Sequence, residues 1–192
     1  MPRTPSQNKA IKDARREQLL TIAQRFFAAS TYSEVSIDKL TKAAECSHGL
    51  FYHYFPNKEA VFSALVKEKI LPSDGLPPFS EAAALGGIEG LRQLCSFYGN
   101  AGEIPAKSFQ IVRICTFYPE DKTVEERFPK FAKSLALTPL LTRLVKEGQK
   151  ERLVVSGSVR EIVFGIKTLF QAAVERPGSL HEDVLFGFLR KN

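Results

Sequence analysis

The stretch SIDKLTKAAECSHGLFYHYFPNK, residues 36–58, decides the fold of this chain. It reads as two short helices joined by a tight turn and followed by the start of a third. Ser36 is a good N-cap, because its hydroxyl can take up a free backbone N–H, and Asp38 in the first turn favours the positive helix end. Ile37, Leu40 and Ala44 fall at helical spacing and define a buried face, with Lys39 and Lys42 off it. Ser47 caps the second helix, whose buried side is Phe51 and Phe55, four residues apart. The remaining positions, His48, Gly49, Leu50, Tyr52, His53 and Tyr54, are small, polar or aromatic, and several must face outward. Pro56 ends this helix, since it has no donor and pushes Phe55 out of helical dihedrals. Asn57 caps the next helix, with Glu59 in its first turn and Val61, Phe62, Leu65, Val66 and Ile70 as apolar positions. Two short helices with an outward-facing second member present a recognition helix to a DNA major groove.

Upstream, residues 11–29 form a helix with the stripe Leu19, Leu20, Ala23, Phe26 and Phe27, which should complete a three-helix core. Downstream, the helix opened by Asn57 should end near Leu71, where residues 72–78, PSDGLPP, read as a linker. Residues 79–87 stay undecided, because an alanine-rich run meets Gly86 and Gly87. Helical patterns follow over 88–99, 106–118 and, less regularly, 122–136. Thr138 and Pro139 read as cap and first residue of a helix to about Glu151. Ser158 caps an amphipathic helix to about Arg176, and a last helix spans 180–190. No strand-like alternation of any length and no repeat occurs. The expected fold is all-α with about nine helices. Residues 1–56 form the DNA-binding part, with a basic arm at 1–10. Residues 57–192 form a second part, led by a connecting helix at 57–71.

Composition excludes several classes. The 192 residues suit one large or two small domains, and 44% hydrophobic content suffices for a packed core. No apolar run approaches ~18 residues, so no membrane span is expected. Residues 1–10 lack the apolar segment of a secretory signal. Cys46, Cys95 and Cys115 do not make a disulfide framework; a reducing cytoplasm fits better, with buried thiols a more usual role than redox sensing. The formal charge is +6. It is concentrated near the N-terminus, where Arg3, Lys9, Lys12, Arg15 and Arg16 face only Asp13. A basic arm beside a helix-turn-helix can track phosphates.

The segment SHGLFYHYFPNKEAVF, residues 47–62, resembles the recognition-helix signature of the tetracycline-repressor (TetR) family of bacterial transcription regulators. Residues 37–47 resemble that family's first helix-turn-helix arm, and the likeness in motif covers about residues 9–70. Two positions depart from the family pattern. Ser30-Thr31-Tyr32 keeps the aromatic but lacks the usual glycine, and Glu45-Cys46 stands where Gly-Val is common. The resemblance implies that Tyr52 and Lys58 contact phosphate, and that His48, Gly49, Leu50 and His53 occupy the positions that reach base edges. Ser36 and Ser47 can donate to phosphates as well as cap. Gly49 permits close backbone approach, Leu50 offers apolar contact to a thymine methyl, and Tyr54 is intermediate between base-reading and packing.

The same resemblance implies a homodimer, an operator of near-palindromic double-stranded DNA, and a small-molecule effector. The wide apolar surface of the last two helices suits the dimer: Val159, Ile162, Val163, Ile166 and Phe170, then Val184, Leu185 and Phe188. Candidates for an effector pocket, by placement alone, are Phe62, Phe97, Tyr98, Phe109, Val112, Arg113, Thr116, Phe117 and Phe170. Abundant phenylalanine points to an apolar or aromatic effector, and Arg113 could pair with an acidic group on it. The expected function is thus a cytoplasmic, ligand-responsive repressor. The alternative is an activator or a ligand-independent DNA-binding protein of the same fold.

An enzyme is the rival class. The sequence has no nucleophile elbow, no phosphate-binding glycine loop and no helical His-Glu-x-x-His, so no catalytic residue or cofactor is assigned. Cys46, His48 and His53 invite a metal reading. However, the two histidines diverge by ~140° on a helix, and no fourth ligand is evident.

Overall fold

The computed structural model describes residues 4–73, 76–187 and 189, without the side chains of Lys107 and Glu182. The first helix, α1 (Pro5–Ala29), starts at Pro5 rather than at residue 11. Thr4 and Gln7 form a reciprocal capping box, with Pro5 at the first helical position, so the described part of the basic arm is itself helical. Leu19, Leu20, Ala23 and Phe27 are buried, and Phe26 is half-buried against the core. Helices α2 (Ile37–Ala43) and α3 (His48–Tyr54) follow, with Ser36 and Ser47 as their caps. Helix α4 (Lys58–Leu65) passes into a single π-turn at Val66–Ile70, closed by the Leu71 N–H donating to the Val66 carbonyl.

Beyond the linker come α5 (Phe79–Leu85), α6 (Gly87–Gly99), α7 (Ala106–Phe117), α8 (Lys122–Arg127) and α9 (Pro129–Ser134). Then follow α10 (Leu137–Lys150), α11 (Val159–Glu175) and α12 (Glu182–Gly187). No strand forms among the described residues, and the all-α expectation holds. Twelve α-helical segments form among the described residues, against about nine expected; the undecided stretch 79–87 contributes α5, and 122–136 divides in two. Gly86, at φ 70°, separates α5 from α6, and Phe128 with Pro129 splits 122–136 into α8 and α9. Thr138 is not a cap. Helix α10 begins at Leu137, two residues before the expected start, and the Thr138 hydroxyl and N–H both donate to Glu120. No helix among the described residues is long and apolar enough to cross a membrane.

Helix α6 is the hub of the C-terminal part, packing on α5, α10, α11 and α12. Helix α1 packs on both α4 and α7, so the N-terminal helices rest directly on the rest of the chain. The joint is aromatic. Phe62 of α4 lies 5.0 Å from Phe27 and 5.3 Å from Tyr32 on one side. On the other side it lies 5.5 Å from Tyr118, 4.7 Å from Phe128 and 5.6 Å from Phe131. Each such pair adds roughly 0.5–1.5 kcal/mol beyond area burial, so the helix-turn-helix is braced rather than hung on a loose tether.

Candidate nucleic-acid interface

The α2–α3 turn is built without glycine. Glu45 takes φ 49°, and its N–H donates to the Lys42 carbonyl while the Cys46 N–H donates to that of Thr41. This is the paired closure that normally places glycine after a helix, because a Cβ is crowded in the left-handed region. The turn is supported from outside: an Arg15 nitrogen on α1 donates to the Ala44 carbonyl at 3.0 Å and to that of Glu45 at 3.4 Å. Arg15 is therefore a positioning residue for the recognition helix. Sequence reasoning assigned it only to the basic arm, although the missing glycine was the sign that this turn needed help.

Helix α3 stands as the sequence requires. The Ser47 hydroxyl accepts from the Leu50 N–H at 3.2 Å, as that of Ser36 does from Lys39 at 3.3 Å. Phe51 and Phe55 are buried, and Tyr54 is half-buried against the core. His48, Gly49, Leu50, Tyr52 and His53 are exposed, with Tyr52 at 51% and Leu50 at 38%. The His48 Nε2 lies 2.8 Å from an Asp38 oxygen, joining the first turns of α3 and α2. Lys9, Lys12 and Lys42 are exposed cations on α1 and α2.

Lys58 is used differently from expectation. Its ammonium donates to the Tyr32 and Val35 carbonyls, both at 2.9 Å, and lies 4.4 Å from the centre of the Tyr32 ring. Desolvation pulls its pKa below the ordinary lysine value. The residue pins the start of α4 to the segment after α1, which leaves one N–H of three for any phosphate.

The other candidates are mostly packing. Phe62, Tyr98, Val112, Thr116 and Phe170 are buried; Tyr98 stacks on Phe170 at 4.1 Å and lies 3.2 Å, oxygen to oxygen, from Thr116. Phe97, Phe109 and Phe117 are half-buried. Arg113 donates to the Ala28 carbonyl at 2.7 Å and the Val174 carbonyl at 3.1 Å, so it ties the ends of α1 and α11 together and is not held out for an acidic ligand. On the helices expected to dimerise, Ile162, Val163, Ile166, Phe170 and Leu185 are buried within the subunit. Val159 is half-buried, Val184 is 54% exposed, and Phe188 lies outside the described residues. Phe164, which the stripe had passed over, also faces out, at 72% exposure. The broad apolar surface of α11 is consumed by α6, α7 and α10.

Two short capped helices on α1, the second exposing a face of imidazole, phenol and aliphatic groups, define a helix-turn-helix protein with a helical C-terminal part. Residues 19–65 match the family profile described as "Bacterial regulatory proteins, tetR family". That match covers the helix-turn-helix region and not the C-terminal part. The chain is 32% identical over 115 residues to the HTH-type transcriptional regulator EthR of Mycolicibacterium smegmatis, covering 54% of this chain and 50% of that one. It is 40% identical over 55 residues to the HTH-type transcriptional repressor Rv1474c of Mycobacterium tuberculosis, 29% of each. The chain thus spans half the length of the first relative and less of the second. The fold extends further. The crystal structure of HlyIIR, a hemolysin II transcriptional regulator, superposes with a TM-score of 0.65 at 19% identity over 94% of this chain and 99% of that one. The ketosteroid transcriptional regulator KstR2 of Mycobacterium tuberculosis gives 0.64 at 17% identity, over 93% and 96%.

Proposed function

We propose that the protein is a cytoplasmic, homodimeric transcription regulator, a repressor released from a near-palindromic operator by a small apolar molecule. Residues 1–56 read the DNA, and residues 57–192 bind the effector and the second subunit. The observation that carries this reading is helix α3, held on a rigid core with His48, Gly49, Leu50, Tyr52 and His53 facing solvent. Tyr52 donates to phosphate, while His48, Leu50 and His53 reach base edges. Exposed lysines on α1 and α2 supply the electrostatic part, which falls with salt. Two recognition helices about 34–36 Å apart, or a multiple of that, require a dimer. We put its contact on the α10–α11 face, because Phe164 is exposed there beside a cleft of about 400 Å³ that Val159 and Val163 also line.

The test is selection of genomic fragments at physiological salt by the purified protein and by Tyr52→Ala. Recovery of one near-palindromic site by the parent alone supports the reading. Identical fragments from both proteins refute the role of α3. Phe164→Glu, followed by light scattering, tests the dimer: a monomer is expected, and an unchanged dimer moves the contact elsewhere.

A further inference from the structure

One cavity formed by the described residues is lined by none of the residues that the sequence suggested for an effector pocket. It is a groove of about 630 Å³ between the connecting helix and the α8–α9 corner, within the size range of small-molecule sites. Val66 and Leu71 form one wall, and Phe128 and Phe131 the other. Leu71 remains 46% exposed at the end of the connecting helix, so its side chain is open to the groove.

Charge gives the groove a sign. The neighbouring ionic groups are mutually engaged: Arg16 with Glu68, Lys69 with Glu17, and Arg127 with Glu59. Lys67 and Lys130 also line the groove, and no carboxylate pairs with either among the described residues. The site therefore offers apolar walls with two uncommitted ammonium groups. It repels cations, gives a neutral hydrocarbon no partner for the lysines, and matches a molecule with an apolar tail and one anionic head.

Position gives it a consequence. Val66 and Lys67 belong to the π-turn, an irregularity that often marks a functional segment of a helix. Phe128 lies 4.7 Å from Phe62 and 5.6 Å from Tyr32. Tyr32 supplies one of the two carbonyls that hold Lys58 at the start of α4. Its own hydroxyl is buried without a hydrogen-bond partner, the Glu59 carboxylate nearby being engaged by Arg127. A ligand in the groove thus bears on both ends of the helix that seats the recognition module.

We propose that this groove binds a long-chain carboxylate, whose tail lies against Val66, Leu71, Phe128 and Phe131 and whose head meets Lys67 and Lys130. This rests on the regulator reading only for its consequence, a shift in DNA affinity; the binding site stands apart from it. The shift follows if the groove differs between the DNA-bound and free forms, since a ligand moves an equilibrium only by its differential affinity.

The experiment is calorimetric titration of the full chain, without DNA, with dodecanoate below its micellar concentration, and with dodecanol and dodecylammonium as charge controls. One dodecanoate per chain is expected, with dodecylammonium at least tenfold weaker. Lys67→Glu combined with Lys130→Glu changes only exposed side chains, and should weaken dodecanoate at least tenfold. Ser63→Phe should do the same by filling the groove, while Lys150→Glu on α10 should change nothing. Equal binding of the ammonium, or dodecanoate affinity indifferent to both groove variants, overturns the proposal. Repeating the titration in the presence of selected DNA separates the two readings. A protein that binds DNA but not dodecanoate loses the groove site and keeps the regulator. One that binds dodecanoate in the groove but no DNA keeps the site and loses the regulator.

Discussion

Gly49→Ala should stabilise the protein and weaken its hold on DNA at the same time. Gly49 is the second residue of α3, and a Cβ built there would meet only the Ser47 hydroxyl, at 4.0 Å. Alanine is favoured over glycine in a helix by up to ~1 kcal/mol, and less in the first turn, so a gain of about 0.5 kcal/mol is expected. For a chain of this size that is roughly 1–2 °C in melting temperature. The same open space is where the duplex should lie. A methyl group there would hold the helix off the groove, and a tenfold loss of affinity corresponds to about 1.4 kcal/mol. Urea unfolding gives the first quantity. Anisotropy titration of a labelled operator, taken from the genomic selection, gives the second. A drop in stability would show that residue 49 is not in the open helical position described. Higher stability with affinity unchanged within twofold would remove Gly49 from the DNA contact.

Glu45→Gly should relieve the left-handed strain at φ 49° and raise stability by about 0.5–1 kcal/mol, part of the gain being lost to the freer unfolded chain; urea midpoints check it. Lys58→Met removes two charge-assisted hydrogen bonds and should cost about 2 kcal/mol, less than their sum because water can reach the carbonyls. Its DNA affinity should fall without a change in salt slope; a slope lower by about one would instead mean that Lys58 contacts a phosphate. Arg113→Leu should cost about 1–2 kcal/mol by freeing the ends of α1 and α11, and wild-type stability would remove it from that joint. Hydrogen bonding to Arg16 holds the Glu68 carboxyl below its ordinary value of 4.5. The pair's contribution is therefore fully present above that value and is lost as pH falls through the lower folded pKa. At about 40% exposure it amounts to less than ~1 kcal/mol, measurable as a smaller acid destabilisation in Glu68→Gln.

The structure makes the recognition helix part of a continuous aromatic and hydrogen-bonded frame. Phe62 joins Phe27 and Tyr32 to Tyr118, Phe128 and Phe131, while Arg113 and Tyr118 bind carbonyls at the end of α1. Displacement of α7 or of the α8–α9 corner must therefore move α1 or α4, or break contacts within a dense core. That gives an effector a physical route to α3 without any flexible linker.

Local chemistry explains what was legible from residues alone. Ser36, Ser47 and Asn57 cap helices within three residues of themselves, and Pro56 ends one through its own ring. The spacing of Phe51 and Phe55 already separated the buried side of α3 from the exposed side. The all-α fold and the helix-turn-helix followed from such short-range terms, which act before the chain is folded. What the sequence could not decide were choices between partners far apart in the chain. Lys58 donates to the carbonyls of residues 32 and 35, and Arg113 to those of residues 28 and 174. Ile162, Ile166 and Leu185 became core of the subunit, while Phe164 and Val184 face out. Helical periodicity shows that a face is apolar but not which neighbour covers it, because burial depends on which helices the completed fold sets against one another. The groove at Lys67 and Lys130 exists for the same reason: its two walls, some sixty residues apart, meet only in the tertiary structure.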